Sequence, residues 1–206
     1  MKIAADAFVF LIPLLVITGL LWIMGFMLLG SVCLGIALLV GLFFRDPHRN
    51  IPGEEDLVLA PADGKVVDLA KQADGTTRVS IFLSLWDVHI NRSPIAGTIQ
   101  DVCYHPGKFR MAFDRRASVE NECNVLTVAN GSLTVRFSQI AGILARRIVC
   151  WKKPGDAVES GERIGLIRFG SRVDVFVPET VVLELSRGTR VRGGSTVIGR
   201  VVRNEE

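Results

Sequence analysis

The pattern of hydrophobic and polar positions changes once along the chain, near residue 45. Residues 8–44 read FVFLIPLLVITGLLWIMGFMLLGSVCLGIALLVGLFF and contain no charged side chain. A single helix of that length would span about 55 Å, nearly twice a hydrocarbon core of about 30 Å. We therefore predict two short helices of about 27 Å each, which turn near Gly25 or Gly30-Ser31. A re-entrant or interfacial hairpin is the alternative, whereas a secretory signal peptide fits poorly because the apolar run is too long.

The rest of the chain consists of short apolar runs separated by turn residues. Runs such as GKVVDLA, TTRVSIFLSL, GTIQDVCY and SLTVRFSQI are rich in β-branched residues and end at Gly, Pro, Asn or Asp, which is typical of strands. In VANGSLTV, Asn130-Gly131 predicts a two-residue hairpin turn. We therefore predict a mainly β domain over residues 46–206. The polar segment FDRRASVENECN suits a loop with some helix, so an α+β class is left open.

Two pairs of segments repeat with an offset of 33 residues. KPGDAVESGERIG and SRGTRVRGGSTVIG share the pattern G-x-x-V-x-x-G-x-x-[IV], which aligns Gly161 with Gly194. PADGKV and PIAGTI share P-x-x-G-x-[VI], which aligns Gly64 with Gly97. Glycines at such positions let turns approach the body of a domain closely. The pattern predicts an internal two-fold repeat and resembles the hammerhead turns of biotinyl- and lipoyl-type barrel-sandwich domains.

The charge balance and the cysteine pattern argue against a nucleic-acid-binding protein and against a zinc protein. The chain has 24 Lys and Arg against 21 Asp and Glu, and this mild excess does not indicate a nucleic-acid partner. Four cysteines occur without a CxxC motif or a nearby histidine at ligand spacing, so we expect reduced thiols and no structural zinc or other metal site. Lys2 precedes the apolar run, and Arg45 and Arg49 follow it, which predicts that both flanks are cytoplasmic.

Four Gly-Ser pairs raise the question of whether one of them is a chemical site. Gly30-Ser31 lies in the apolar run, and Gly131-Ser132 lies in the predicted hairpin. Gly194-Ser195 has a repeat counterpart in Gly161-Glu162, so its serine occupies a turn position that also accepts glutamate. Gly170-Ser171 lies outside the repeated units and is the pair without a structural explanation.

Several motifs, taken together and in this order, resemble the phosphatidylserine decarboxylase family in its short, membrane-anchored form. They are APADGKVV, SLWDVHINRSPIAG, YHPGKF, ASVENE and GERIGLIRFGSRVDVFVP, and they cover roughly residues 45–206. The resemblance implies that the chain makes its own cofactor by cutting itself at Gly170-Ser171. Ser171 would become a pyruvoyl group at the head of an α chain of residues 171–206, leaving a β chain of residues 1–170.

The resemblance also assigns roles to two further residues. The aspartate of the family's P-x-D-G motif corresponds to Asp63, and its histidine after an aspartate corresponds to His89. Asp63 would orient His89, and His89 would activate Ser171 and later protonate the substrate carbon. Longer relatives carry a second histidine three positions later, where this chain has Arg92. One histidine would then serve both self-cleavage and decarboxylation.

The resemblance implies the decarboxylation of phosphatidylserine to phosphatidylethanolamine at the cytoplasmic side of the inner membrane, with residues 1–45 as the anchor. The pyruvoyl ketone would condense with the substrate amine and accept the electron pair left by CO₂. The expected partners are the lipid, the membrane and the protein's own two chains, and the oligomeric state is left open. Two alternatives stand beside this reading: a membrane-tethered adaptor or carrier built on a barrel-sandwich domain, and a membrane-bound serine hydrolase, although the chain has no G-x-S-x-G motif.

Overall fold

The computed structural model describes residues 2–108, 117–142, 147–168 and 170–202. The chain forms two compact units, Met1–His48 and Arg49–Glu206. The N-terminal unit thus extends three residues beyond the end of the predicted anchor at residue 45.

The N-terminal unit is a helical hairpin, as the length of the apolar run predicts. Helix α1 covers Phe8–Ile23 after a short 3₁₀ turn at Ala5–Ala7, and helix α2 covers Met27–Phe43. Strand β1 (Lys2–Ile3) pairs antiparallel with β2 (Arg45–Asp46), which brings the two ends of the hairpin together.

The turn of the hairpin falls at the first of the two predicted positions. Gly25 lies between the helices with φ +85°, a left-handed conformation that favours glycine. Gly30 instead lies inside α2, where an added Cβ would come within 2.3 Å of the indole of Trp22. Gly30-Ser31 is therefore a helix-packing pair.

The hairpin presents an apolar surface. Ile23 is 85% exposed and Leu28 is 82% exposed. The segment Ala5–Ile23 is long and apolar enough to cross a membrane, and the second apolar helix is shorter. By length and composition, this unit is consistent with membrane association.

The C-terminal unit is built almost entirely from short strands. Its elements are β3 (Leu57–Leu59), β4 (Gly64–Lys71), β5 (Thr77–Leu83), β6 (Ile90–Arg92), β7 (Gly97–His105), α3 (Ala117–Glu120), β8 (Cys123–Ala129), β9 (Thr134–Ala141), β10 (Ile148–Cys150), β11 (Ala157–Val158), β12 (Arg163–Ile167), β13 (Ser171–Val177), β14 (Val181–Leu183), β15 (Arg190–Val191) and β16 (Val197–Val201). The predicted mainly β class is confirmed.

Three antiparallel sheets enclose the core. The largest is a curled eight-stranded sheet with the order β11-β7-β8-β9-β13-β5-β4-β15, and the two smaller sheets have the orders β10-β12-β6 and β14-β16-β3. Strand β13 therefore lies in the middle of the large sheet, between β9 and β5.

Alternation along the central strands sets which side chains face the core. In β13, Val173, Val175 and Val177 are all buried in the hydrophobic core cluster. Ser171 belongs to the same alternating set, because successive side chains of a strand point to opposite faces. The serine that begins β13 is therefore on the core-facing side of the sheet.

The 33-residue offset reappears in the strand pairing. Val158 pairs with Gly97 in β11 and β7, and Val191 pairs with Gly64 in β15 and β4. An added Cβ on either Gly64 or Gly97 would lie 2.2 or 2.3 Å from a carbonyl oxygen of the adjacent strand. These matched contacts agree with the sequence offset, and the two-fold repeat itself stays a prediction.

The predicted hairpin is present, but its turn is shifted by one residue. Strands β8 and β9 are joined at Asn130–Leu133, where the backbone N–H of Asn130 donates to the carbonyl of Leu133. The two central residues are therefore Gly131 and Ser132, and the Asn130 side chain caps the turn by accepting from the N–H of Leu133. In the polar segment FDRRASVENECN, the structure describes α3 and the residues that follow it, while residues 109–116 lie outside the described residues.

Candidate active site at the start of strand β13

Ser171 is a buried hydroxyl without a hydrogen bond among the described residues. Its backbone lies in register between Ala141 of β9 and Leu83 of β5, and its exposed fraction is 0%. Within the part of the chain that the structure describes, the Oγ atom has no hydrogen-bond partner. Leaving a buried polar group unsatisfied costs about 1–3 kcal/mol, so such a group calls for an explanation. One explanation is that this oxygen reacts with the neighbouring peptide bond.

Gly170 adopts a backbone conformation that only glycine reaches without strain. Its φ is +72°, and nothing lies within 4 Å of where a Cβ would stand. An alanine there would be strained because the left-handed backbone conformation disfavours a Cβ, although the space around it is open. This conformation places the N–H of Gly170 against the ring of His89, 3.3 Å from Nε2.

Two contacts fix the tautomer of His89. Its Nδ1 lies 2.9 Å from the carbonyl oxygen of Asp87, which can only accept a hydrogen bond. Its Nε2 faces the backbone N–H of Gly170, which can only donate one. In the neutral imidazole these contacts place the proton on Nδ1, and the lone pair of Nε2 accepts from the N–H of Gly170. His89 is 2% exposed, so the ring is held in place by its surroundings.

Asp87 is a site residue whose role sequence reasoning missed. Its carboxylate accepts hydrogen bonds from the N–H and Oγ of Ser84, at 2.8 and 2.7 Å. This closes a tight turn whose last residue supplies the carbonyl oxygen for His89. The aspartate two positions before the histidine was visible in the motif, but the use of its backbone carbonyl could not be inferred from residue type.

The described hydrogen bonds of Asp63 go to residues other than His89, and its predicted role as the orienting aspartate stays a prediction. Both of its carboxylate oxygens accept from Nη2 of Arg49, at 2.9 and 2.8 Å, and one also accepts from the N–H of Gly193 at 2.8 Å. Among the described residues no hydrogen bond joins Asp63 to His89. The carboxylate instead ties the chain after the hairpin to a turn near the C-terminus.

Arg49 is the second residue whose role was missed. The sequence places it on the cationic flank of the apolar run, yet its side chain is only 9% exposed in the ion pair with Asp63. Asp63 lies 14 positions after Arg49, and no periodic pattern in the sequence indicates that the two side chains pair.

Gly194-Ser195 is held in a turn, as its repeat counterpart predicts. Gly194 and Gly161 have φ values of +73° and +71°, and an added Cβ on Gly194 would lie 3.4 Å from Cα of Gly161. The N–H of Ser195 donates to the carbonyl of Arg192 within this turn. Arg92 donates to the carbonyl of Gly161, the repeat counterpart of Gly194, at 2.9 Å.

Two of the four cysteines, Cys123 and Cys150, are weak candidates for a competing nucleophile. All four are free and half-buried. Burial raises the pKa of the Cys123 thiol, and the nearby Cys103 adds to the shift. Burial also raises the pKa of Cys150. Since the thiolate is the reactive form, these groups are weak nucleophiles at neutral pH.

Glu162, in the GERIG motif before the candidate site, is held ionised. Burial opposes its charge, but hydrogen bonds from Lys152 and from the backbone N–H of Glu159 outweigh burial and keep the pKa of Glu162 below its usual range. Across the described part of the chain, no cluster of three or more His, Cys, Asp or Glu side chains could hold a metal ion.

Fold and site together define a β protein with an apolar helical hairpin and a buried serine beside a histidine. A family model described as phosphatidylserine decarboxylase matches residues 36–199. The chain belongs to this family.

Several relatives carry the name phosphatidylserine decarboxylase proenzyme. The protein from Solibacter usitatus is 52% identical over 165 residues, which is 80% of each chain. The protein from Desulfotalea psychrophila is 42% identical over 167 residues, or 78% of each chain. The protein from Chlorobium chlorochromatii is 48% identical over 163 residues, or 77% of each chain.

Proposed function

We propose that this chain is the precursor of a pyruvoyl-dependent enzyme that decarboxylates phosphatidylserine to phosphatidylethanolamine, and that it cuts itself between Gly170 and Ser171. The observation that carries the proposal is the buried, unpartnered Oγ of Ser171 next to a glycine whose N–H contacts Nε2 of His89. The family name and the name proenzyme given to its relatives agree with this assignment.

The self-cleavage would use Ser171 and His89, which are linked through Gly170: its N–H contacts Nε2 of His89, and it directly precedes Ser171. Nε2 of His89 carries the lone pair that can take the proton from Oγ of Ser171, since a neutral hydroxyl is a weak nucleophile. The oxygen then bonds to the carbonyl carbon of Gly170, and the C–N peptide bond breaks, which leaves an ester and a free amine on Ser171. Loss of the Ser171 α-proton expels the Gly170 carboxylate. Hydrolysis of the resulting dehydroalanine gives the pyruvoyl group and ammonia.

Burial favours this reaction at Ser171. The residue is fully buried at the start of a strand that is paired on both sides, so its backbone is fixed by Ala141 and Leu83. Among the described residues the Ser171 hydroxyl makes no hydrogen bond, so no such bond has to break before Oγ attacks the Gly170 carbonyl. Preorganisation of this kind replaces the entropy cost of bringing two reactants together.

In turnover, a pyruvoyl group formed from Ser171 would supply a carbonyl that serves as the electron sink for decarboxylation. His89 would supply the proton that the α-carbon then needs, because an imidazole exchanges protons readily near neutral pH. The contact of its Nδ1 with the Asp87 carbonyl would orient the ring for this step.

Asp63 and Arg49 support the site as positioning residues. Their ion pair, with the N–H of Gly193, joins two distant segments of the catalytic domain. The apolar hairpin would hold the enzyme at the bilayer in which its diacyl substrate resides. We place the anchor at residues 1–45, the catalytic domain at residues 46–206 and the active site on the cytoplasmic side of the cell membrane.

A pair of serine variants tests the assignment. Ser171→Ala should remain a single chain without decarboxylase activity, whereas the matched variant Ser195→Ala should still separate into two chains on a denaturing gel. Cleavage of Ser171→Ala, or loss of cleavage only in Ser195→Ala, would overturn the site. A wild-type protein that stays in one piece and hydrolyses lipid esters would instead favour a serine hydrolase, and an inert single chain would favour an adaptor.

A further inference from the structure

A tight turn beside His89 projects two large apolar side chains into solvent. In the turn Ser84–Asp87, Leu85 is 46% exposed and Trp86 is 70% exposed. The turn is closed by the N–H of Asp87, which donates to the carbonyl of Ser84, and by the Asp87 carboxylate, which binds the N–H and Oγ of Ser84. The two apolar residues are therefore held at the tip of a rigid turn.

This turn is directly connected to the candidate active site. It follows Leu83, whose backbone is paired in register with Ser171. It ends at Asp87, whose carbonyl oxygen lies 2.9 Å from Nδ1 of His89. The exposed tip and the reacting groups therefore belong to the same end of the eight-stranded sheet.

Three cationic residues lie close to the same end of the sheet. Arg190, with a side chain 75% exposed, contacts Asp87 at 3.4 Å. Lys65 is exposed and pairs in register with Arg190 on one side and with Phe82 on the other. Arg187 is also exposed and lines a small surface cavity together with Lys65. The apolar tip thus has a cationic flank.

We propose that Leu85 and Trp86, with the flank formed by Lys65, Arg187 and Arg190, are a docking surface for a bilayer that contains anionic phospholipid. Tryptophan favours the boundary between hydrocarbon and headgroups, and cations near a membrane surface are attracted by anionic lipid. The apolar tip suits the hydrocarbon boundary of such a bilayer, and the flanking cations suit its anionic headgroups. The inference rests on the proposed lipid substrate, because docking here would bring the bilayer to the residues that surround Ser171.

Tryptophan fluorescence in the full-length protein tests this directly. The chain has three tryptophans, so Trp22→Phe/Trp151→Phe retains only Trp86, and the matched control Trp22→Phe/Trp86→Phe retains only Trp151. Both proteins are reconstituted into vesicles of phosphatidylcholine and phosphatidylserine, with or without bromine atoms on the upper part of the acyl chains. We expect bromine to quench Trp86 and to leave Trp151 largely unaffected. Contact with either kind of vesicle should shift the emission of Trp86 to shorter wavelength.

The cationic flank is tested in the same proteins. Lys65→Gln/Arg187→Gln should reduce the quenching of Trp86, and so should vesicles of phosphatidylcholine alone. Equal emission of Trp86 in brominated and plain vesicles, or equal quenching of Trp86 and Trp151, would overturn the proposal. Fluorescence quenching needs no enzymatic turnover, so it can also be measured on Ser171→Ala. A failure of membrane docking is therefore distinguishable from a failure of the proposed decarboxylation.

Discussion

The backbone N–H of Gly170 donates a hydrogen bond to Nε2 of His89 across 81 positions of sequence, at 3.3 Å. This contact holds the imidazole against the N–H of Gly170, one peptide bond before Ser171, whose buried Oγ has no hydrogen-bond partner among the described residues. It is the relationship on which the proposed self-cleavage depends, and most of the predictions below disturb it or its supports.

Replacing the imidazole should stop the cut without unfolding the protein. His89→Gln keeps a polar side chain but lacks a base, so self-cleavage should slow by at least about 100-fold, the lower range for general base catalysis. His105→Gln is the matched control, because His105 is exposed. Cleavage is followed on a denaturing gel over time after synthesis. Equal rates in both variants would remove His89 from the mechanism.

Alanine at Gly170 should act through backbone strain. Gly170 and Gly131 both have positive φ, +72° and +87°, and both have open space around the missing Cβ. Either Gly→Ala variant should lose about 1–2 kcal/mol of stability, measured by urea unfolding. Only Gly170→Ala should also slow self-cleavage, since relief of the strain would move its N–H away from His89. Normal cleavage in Gly170→Ala would show that this geometry is dispensable.

The ion pair of Arg49 and Asp63 should behave as one unit. Arg49→Met and Asp63→Asn should each cost about 2–3 kcal/mol of stability, because each leaves a largely buried partner unpaired. The double variant should be no less stable than either single variant, as a double-mutant cycle would reveal. If Asp63→Asn abolished cleavage at unchanged stability while Arg49→Met cleaved normally, Asp63 would act on His89 directly, as the family resemblance implies.

A second buried ion pair, Arg172–Asp174, lies on the face of strand β13 opposite to Ser171. Nε of Arg172 donates to Asp174 at 2.6 Å, and Nη2 of Arg172 donates to Ser80 at 2.6 Å, while Ser118 donates to Asp174 at 2.8 Å. Both charged side chains are 1% exposed. Arg172→Met should therefore cost about 3–5 kcal/mol in urea unfolding, because it leaves a buried carboxylate without its main partner.

The double variant Arg172→Met/Asp174→Leu is the control for that pair. It should regain part of the lost stability, since the carboxylate that Arg172→Met leaves in the interior is removed as well. A double variant less stable than Arg172→Met would mean that Asp174 is held by other contacts and that the ion pair is not the main support.

Local patterns were sufficient for the class of fold. The uncharged run predicts a hairpin, and the β-branched runs predict the strands, because both signals depend on neighbouring residues. The apolar pattern does not determine where the hairpin turns, because Gly25 and Gly30 both fit it. In the structure Gly25 forms the turn, and Gly30 packs against Trp22 inside α2. Likewise the β8–β9 turn is shifted by one residue, because the Asn130 side chain caps the turn from its first position.

The candidate site shows where sequence reasoning ends. Excluding the other Gly-Ser pairs points to Ser171, and the family resemblance names His89 and Asp63. The partners of these residues could not be read from the chain, because they come from distant segments. Asp63 binds Gly193 across 130 positions, and His89 binds Gly170 across 81. Such contacts depend on strand register in three dimensions, which residue types alone do not encode.

The mass of the purified, full-length protein is the most direct test of the central claim. We expect two chains that correspond to residues 1–170 and 171–206, the smaller blocked at its N-terminus and two hydrogen atoms heavier after reduction with borohydride, as a ketone requires. Treatment with hydroxylamine should abolish decarboxylation of phosphatidylserine. A single unbroken chain that is unaffected by either reagent and still decarboxylates the lipid would contradict the account.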